Sequence, residues 1–80
     1  MLVHLYSKPD CIFCSRAKIF FEAKGIAYKE KIVGEDISQK DYYEITKMST
    51  VPAIYINDKL IGGYTELVEY AVENSEEFYG

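Results

Sequence analysis

The chain has 80 residues, 49 % of them hydrophobic and 28 % charged, with a formal net charge of −4. That length fits a single domain, 1–80, and the composition supports a packed core rather than a disordered chain. The acidic balance and the scattered lysines give no reason to expect nucleic acid as a partner, and no apolar run approaches the about 20 residues of a membrane helix.

Leu2 to Tyr6 is apolar and rich in strand formers, and Ser7-Lys8-Pro9-Asp10 breaks it, which predicts a strand and a loop. This stretch is too short for an apolar signal core and has no Lys or Arg before it, so no signal peptide is expected and a cytoplasmic location is. From Cys11 to Lys24 the period turns helical. Cys14, Ala17, Phe20 and Phe21 with Ala23 and Lys24 fit it, Arg16, Lys18 and Glu22 are left for solvent, and Gly25 stops it. Ala27 to Val33 alternates imperfectly, as a charged strand near a sheet edge does. Ser38 to Met48 reads as a short helix capped by Ser38, with Tyr42 and Ile45 inward and Tyr43 exposed. Ala53 to Ile56, the turn Asn57-Asp58 and Lys59 to Ile61 form a hairpin. After Gly62-Gly63, Thr65 to Glu73 is a last helix with Leu67, Val68 and Ala71 or Val72 inward, and the acidic cluster Glu73 to Glu77 is its solvated end.

The order β-α-β-α-β-β-α is an α/β arrangement. The first strand–helix–strand unit makes a parallel pair with a right-handed crossover, and the hairpin adds an antiparallel pair. The result is a four-stranded mixed sheet with helices on both faces.

Two cysteines three positions apart close a very small loop, so they constrain the unfolded chain little, and a structural staple explains them poorly. A zinc site needs about four ligands, and beyond this pair the chain offers His4, which reads as an ordinary strand histidine, so no metal is expected. Chemistry remains. Cys11 opens a helix, where unpaired backbone N–H groups and the positive end of the helix dipole favour thiolate over thiol, and only the thiolate attacks a disulfide. Lys8 adds positive charge in the preceding loop, and Asp10 either opposes it or caps the helix. Cys14, about one turn further, is expected to be buried and to resolve a mixed disulfide formed at Cys11. A Cys-x-x-Cys following the first strand of a β-α-β pattern is a strong redox signal.

Cys11-Ile12-Phe13-Cys14, Thr50-Val51-Pro52 and Gly62-Gly63 stand in the order and approximate spacing of glutaredoxins. The chain resembles that family over nearly its whole length, and its short dithiol bacterial and phage members most. The resemblance implies a thioredoxin fold with three helices and a cis Val51–Pro52 bond facing the cysteines. It implies glutathione as co-substrate, with no tightly bound cofactor. Carried over by position, the backbone of Val51, in the Thr50–Pro52 loop, pairs with the glutathione cysteine as a short strand addition. Lys8 meets the glycine carboxylate, and Phe13, where many relatives have Tyr, forms an apolar wall. Gly63 and the start of the last helix hold the γ-glutamyl carboxylate. Tyr64 either faces the substrate or packs over the helix start.

The sequence departs from the family at two places. Thr65 stands where many relatives carry an acid that meets the glutathione ammonium, and it offers a hydroxyl or a helix cap instead. Met48-Ser49 stand where relatives often have Arg or Gln, which leaves Lys47 or Lys8 as the carboxylate partner. The expected activity is reduction of protein disulfides and glutathione mixed disulfides by a monomer, with ribonucleotide reductase a client by analogy. The alternatives are a donor recharged by thioredoxin reductase, and an iron–sulfur carrier in which two Cys11 thiolates share a cluster. Bulky Phe13 and the presence of Cys14 argue against the carrier.

Overall fold

The computed structural model describes residues 1–79. In chain order the elements are β1 (Val3–Ser7), α1 (Ile12–Ala23), β2 (Lys29–Ile32), α2 (Gln39–Thr46), β3 (Ala53–Ile56), β4 (Lys59–Gly62), α3 (Tyr64–Glu73) and α4 (Ser75–Tyr79). The sheet order is β2-β1-β3-β4, with β1 parallel to β2 and antiparallel to β3, and β3 antiparallel to β4. The charged strand β2 therefore lies at an edge, as its alternation predicts.

Alternation along the strands sends successive side chains to opposite faces. Val3, Leu5, Ile54 and Ile56 point to one face, where Ala17 and Phe21 of α1, Leu67 and Ala71 of α3, and Phe78 cover them. Each large side chain buried there contributes roughly 1.5–3 kcal/mol over its exposed state. The other face carries Val33, Ala53 and Tyr6 beneath Tyr42 of α2. Tyr6 packs edge-on against Tyr42 and Tyr55, so it is a packing residue. Ser7 points into the first face, and its hydroxyl donates to the Glu30 carboxylate.

Helix ends follow their local chemistry. The Gly25 N–H donates to Glu22 and the Ile26 N–H to Phe21, and Gly25 has the positive φ (69°) of a left-handed stop. The Ser38 hydroxyl accepts from the Asp41 N–H at 3.1 Å and caps α2. Asn57 and Asp58 both take positive φ, which suits a two-residue hairpin turn.

Several expectations need correction. Ile45, Val68 and Val72 are exposed, because Tyr42 with Thr46 and Leu67 with Ala71 hold the inward positions of α2 and α3. Each wrong assignment differs by one residue, about 100° around a helix. Lys18 is drawn from solvent into an ion pair with Glu30 at 3.0 Å, whereas Glu22 stays exposed as expected and accepts the Tyr28 hydroxyl at 2.6 Å. That bond pushes the Tyr28 phenol up to about 12. The acidic cluster Glu73 to Glu77 carries exposed carboxylates as expected, but it runs into a helix beyond the three expected, α4, which buries Phe78 against Phe20 and Tyr70.

Candidate active site

Cys11 is the N-cap of α1, so Asp10 does not cap that helix. Cys14 lies one turn on, 1 % exposed, and the two form a disulfide with Cα atoms 5.2 Å apart. The Cys14 N–H donates to Cys11 Sγ at 3.2 Å. The sulfur that carries the cap thus already meets one of the orphan N–H groups of the helix start. This bond favours negative charge on Cys11 once the disulfide is open.

Opposite stands the loop after α2. Its Val51–Pro52 peptide is cis, and the Val51 carbonyl oxygen lies 3.9 Å from Cys11 Sγ. In the disulfide that sulfur has no proton to give, so the approach is a contact. Tyr42 secures the loop from beneath, with its buried hydroxyl donating to the Thr50 carbonyl at 2.5 Å and its phenol pushed up by burial. The Thr46 hydroxyl accepts from the Met48 N–H at 3.0 Å and holds the turn between α2 and the loop.

A groove of about 180 Å³ runs along this loop. Phe13, Thr50, Val51, Pro52, Gly63, Tyr64 and Thr65 line it, seven of the eight binding positions expected from the sequence. Phe13, 48 % exposed, stacks on Tyr64 with centroids 6.2 Å apart, and the Arg16 guanidinium lies 5.4 Å from the Phe13 centroid. Lys8 stands apart from this lining, and its ammonium donates to Gln39 Oε1 at 2.6 Å.

Two lining residues, Met48 and Glu66, were not among the expected ones. Glu66 turns back so that its Oε1 accepts the Gly63 N–H at 2.7 Å. Gly63, not Thr65, is the N-cap of α3, and having no side chain it makes only this half of a capping box. A Gly-x-x-Glu spacing was the available signal for Glu66; Met48 gave none beyond its position before the loop. A larger concavity, about 570 Å³, lies along His4, Tyr6 and Tyr55, and none of the Thr50–Pro52 loop that faces Cys11 lines it, so volume alone does not mark the site. Among the described residues no group of three or more His, Cys, Asp and Glu is placed to hold a metal ion. No helix there is long and apolar enough to cross a membrane.

A redox pair at the first turn of a helix, faced by a cis-proline loop on a four-stranded mixed sheet, defines a thiol–disulfide oxidoreductase of the thioredoxin fold. The glutaredoxin family model matches residues 3–61, and the chain belongs to the glutaredoxin family. Glutaredoxin 3 of Escherichia coli (strain K12) is 33 % identical over 72 residues, 89 % of this chain and 84 % of that protein. The hybrid peroxiredoxin hyPrx5 of Haemophilus influenzae is 34 % identical over 68 residues; the match spans 85 % of this chain but only 28 % of that protein. Among solved structures, glutaredoxin 1 from Francisella tularensis complexed with cacodylate superposes with a TM-score of 0.83 at 34 % identity, covering 94 % of this chain and 96 % of that one. A buckwheat glutaredoxin–glutathione complex has a TM-score of 0.79 at 29 % identity, covering 89 % and 68 %.

Proposed function

We propose that this chain reduces protein disulfides and glutathione mixed disulfides in a reducing cytoplasm, and that glutathione recharges it. The observation that carries the reading is the Cys11–Cys14 disulfide, whose Cys11 Sγ lies 3.9 Å from the carbonyl of Val51, a residue that lines the groove. The glutathione complex of the buckwheat relative supports the choice of reductant.

In the forward direction the Cys11 thiolate attacks one sulfur of a client disulfide. A mixed disulfide forms, and the other client sulfur leaves as a thiolate and takes a proton from solvent. Cys14 then loses its proton and attacks Cys11 Sγ, and the second client sulfur leaves. Two electrons have passed to the client, and the enzyme is left as the Cys11–Cys14 disulfide. One glutathione thiolate reopens it at Cys11 and frees Cys14. A second glutathione attacks the first one's sulfur, releasing glutathione disulfide and the Cys11 thiolate.

The remaining assignments follow the groove. The Val51 backbone pairs with the glutathione cysteine, with Thr50 and Pro52 shaping that edge and Phe13 and Tyr64 forming the apolar wall. Gly63 and the first N–H groups of α3 receive the γ-glutamyl carboxylate. Lys8 reaches the glycine carboxylate by exchanging Gln39 for it. Thr65 leaves the glutathione ammonium without an acid at its own position, and the Glu66 carboxylate is the nearest replacement in the groove. The chain acts as a monomer, and its clients include ribonucleotide reductase or, given the hyPrx5 match, a peroxiredoxin disulfide. Turnover of a glutathionylated peptide, coupled to glutathione reductase and NADPH, tests this reading. A rate no higher than without the protein would overturn it.

A further inference from the structure

The two faces of the sheet are covered unequally. One takes α1, α3 and Phe78 of α4, whereas the other takes α2, a helix of eight residues. The outer strands of a four-stranded sheet lie about 14 Å apart and a helix is about 10 Å across, so one short helix leaves part of that face bare. Tyr42 of α2 packs on Tyr6 and Ala53. Beyond them lies the open concavity of about 570 Å³, a volume within the range of small-molecule sites.

Strand register decides what lines it. His4 pairs with Lys29 and with Tyr55, and Tyr6 pairs with Lys31, so all five side chains share this face. His4, Tyr6 and Tyr55 form an aromatic floor. Lys29 and Lys31 stand two positions apart on the edge strand β2, about 7 Å along it. Ile45 of α2, 57 % exposed, adds an apolar edge. Among the described residues neither ammonium has an ion-pair partner, and neither Tyr6 nor Tyr55 gives its hydroxyl to a protein acceptor. Glu30, between the two lysines, points through to the other face and meets Ser7 and Lys18 there. Asp58 lines the concavity from the hairpin after β3, two strands or about 10 Å from β2. The site is therefore aromatic in its middle and cationic along β2.

We propose that this open half of the sheet binds a small planar aromatic anion, with its ring on His4 and Tyr55 and its anionic group between Lys29 and Lys31. A neutral ring would leave both ammoniums without a counter-charge, and an anion without a ring would leave the aromatic floor wet. Burial, and then the neighbouring Tyr6, push the Tyr55 phenol up, which keeps it a neutral donor. The concavity shares no lining residue with the cysteine groove, so the ligand is distinct from the disulfide substrate.

The test uses three probes. Naphthalene-1-sulfonate carries ring and charge, naphthalene-1-methanol the ring alone, and inorganic sulfate the charge alone. Each is titrated at low salt into the isotope-labelled, oxidised protein, and backbone amide shifts are followed by nuclear magnetic resonance. The sulfonate should move the amides of His4, Lys29, Lys31 and Tyr55 and leave those of Cys11, Val51 and Tyr64 in place. It should bind about fivefold more tightly than the alcohol, the size of two exposed charge contacts, and more tightly than sulfate. That margin should shrink in high salt. Lys29→Gln with Lys31→Gln should bring the sulfonate to the affinity of the alcohol, with the circular dichroism and oxidation by 2-hydroxyethyl disulfide unchanged. Ile45→Glu, at an exposed position, should weaken the sulfonate more than the alcohol. Equal binding of sulfonate and alcohol, sulfate binding as tightly as the sulfonate, shifts centred on the cysteine groove, or a sulfonate affinity that survives the double variant would overturn the proposal. So would the absence of a saturable shift with any of the three.

Discussion

Gly62→Ala should be one of the costlier single-methyl changes in this chain. Gly62 has φ of +127°, outside the left-handed well that other residues visit, so an alanine there costs roughly 1–3 kcal/mol in backbone strain. Its new Cβ would also stand 2.8 Å from Glu66 Cγ and 2.9 Å from Glu66 Cβ and Oε1. The Cβ of Glu66 is fixed to the helix and yields only to a backbone shift, whereas swinging the Glu66 side chain away relieves the Cγ and Oε1 contacts and drops its bond to the Gly63 N–H. That bond is exposed, and its loss adds roughly 0.5–1.5 kcal/mol. The sum, roughly 2–4 kcal/mol, corresponds to a fall in Tm of about 10–25 °C for a domain of this size. Thermal unfolding of the oxidised protein followed by far-ultraviolet circular dichroism measures it. In a Glu66→Ala background the Cγ and Oε1 contacts are gone, so the cost of Gly62→Ala should shrink by about 1 kcal/mol. A Tm for Gly62→Ala within about 3 °C of the parent would refute the reasoning, because strain and contact together forbid so small a change.

Other consequences can be checked as directly. Cys14→Ser should keep turnover of a glutathionylated peptide and lose most reduction of an internal protein disulfide, whereas Cys11→Ser should lose both. Equal loss of the first activity in the two variants would contradict the division of labour. Thr65→Asp should lower the KM for glutathione several-fold, since a charge-assisted contact of about 1 kcal/mol is about a fivefold change, and the gain should shrink in high salt. An unchanged KM at low salt would mean that Glu66 already serves the ammonium. The Ser7 hydroxyl, and then the Lys18 ammonium, hold the Glu30 carboxyl below its ordinary 4.5. A depressed value in the folded state means that this stabilisation is intact above the ordinary value and is lost as pH falls through the lowered one. Urea midpoints of the parent should therefore fall more steeply below about pH 4.5 than those of Glu30→Gln, and parallel curves would rule this out.

Local chemistry made the cysteine helix, the Ser38 cap, the Asn57-Asp58 turn and the Gly25 stop readable from the sequence, because each depends on neighbours within a few positions. The three motifs likewise pointed to seven of the residues that line the groove. What escaped depends on distance or phase. The Lys18–Glu30 pair joins α1 to β2 across 12 positions, and nothing local marks it. Val68 and Val72 are as apolar as Leu67 and Ala71, and only the tilt of α3 on the sheet decides which pair is covered. Phe78 follows Glu76 and Glu77 in a stretch too short to show an apolar period, so the helix that buries it was invisible. Lys8 was placed in the site by its charge in the loop before Cys11 and by family resemblance, and the structure shows its ammonium on Gln39.

Glutathione, rather than a flavoprotein reductase, is expected to restore the Cys11–Cys14 dithiol. Oxidised protein is incubated anaerobically with glutathione alone, and separately with thioredoxin reductase and NADPH alone, and free thiols are counted by alkylation and mass spectrometry. Two alkylated cysteines are expected with glutathione, and none above background with the reductase. Rapid reduction by the reductase, with the disulfide untouched by millimolar glutathione, would contradict it.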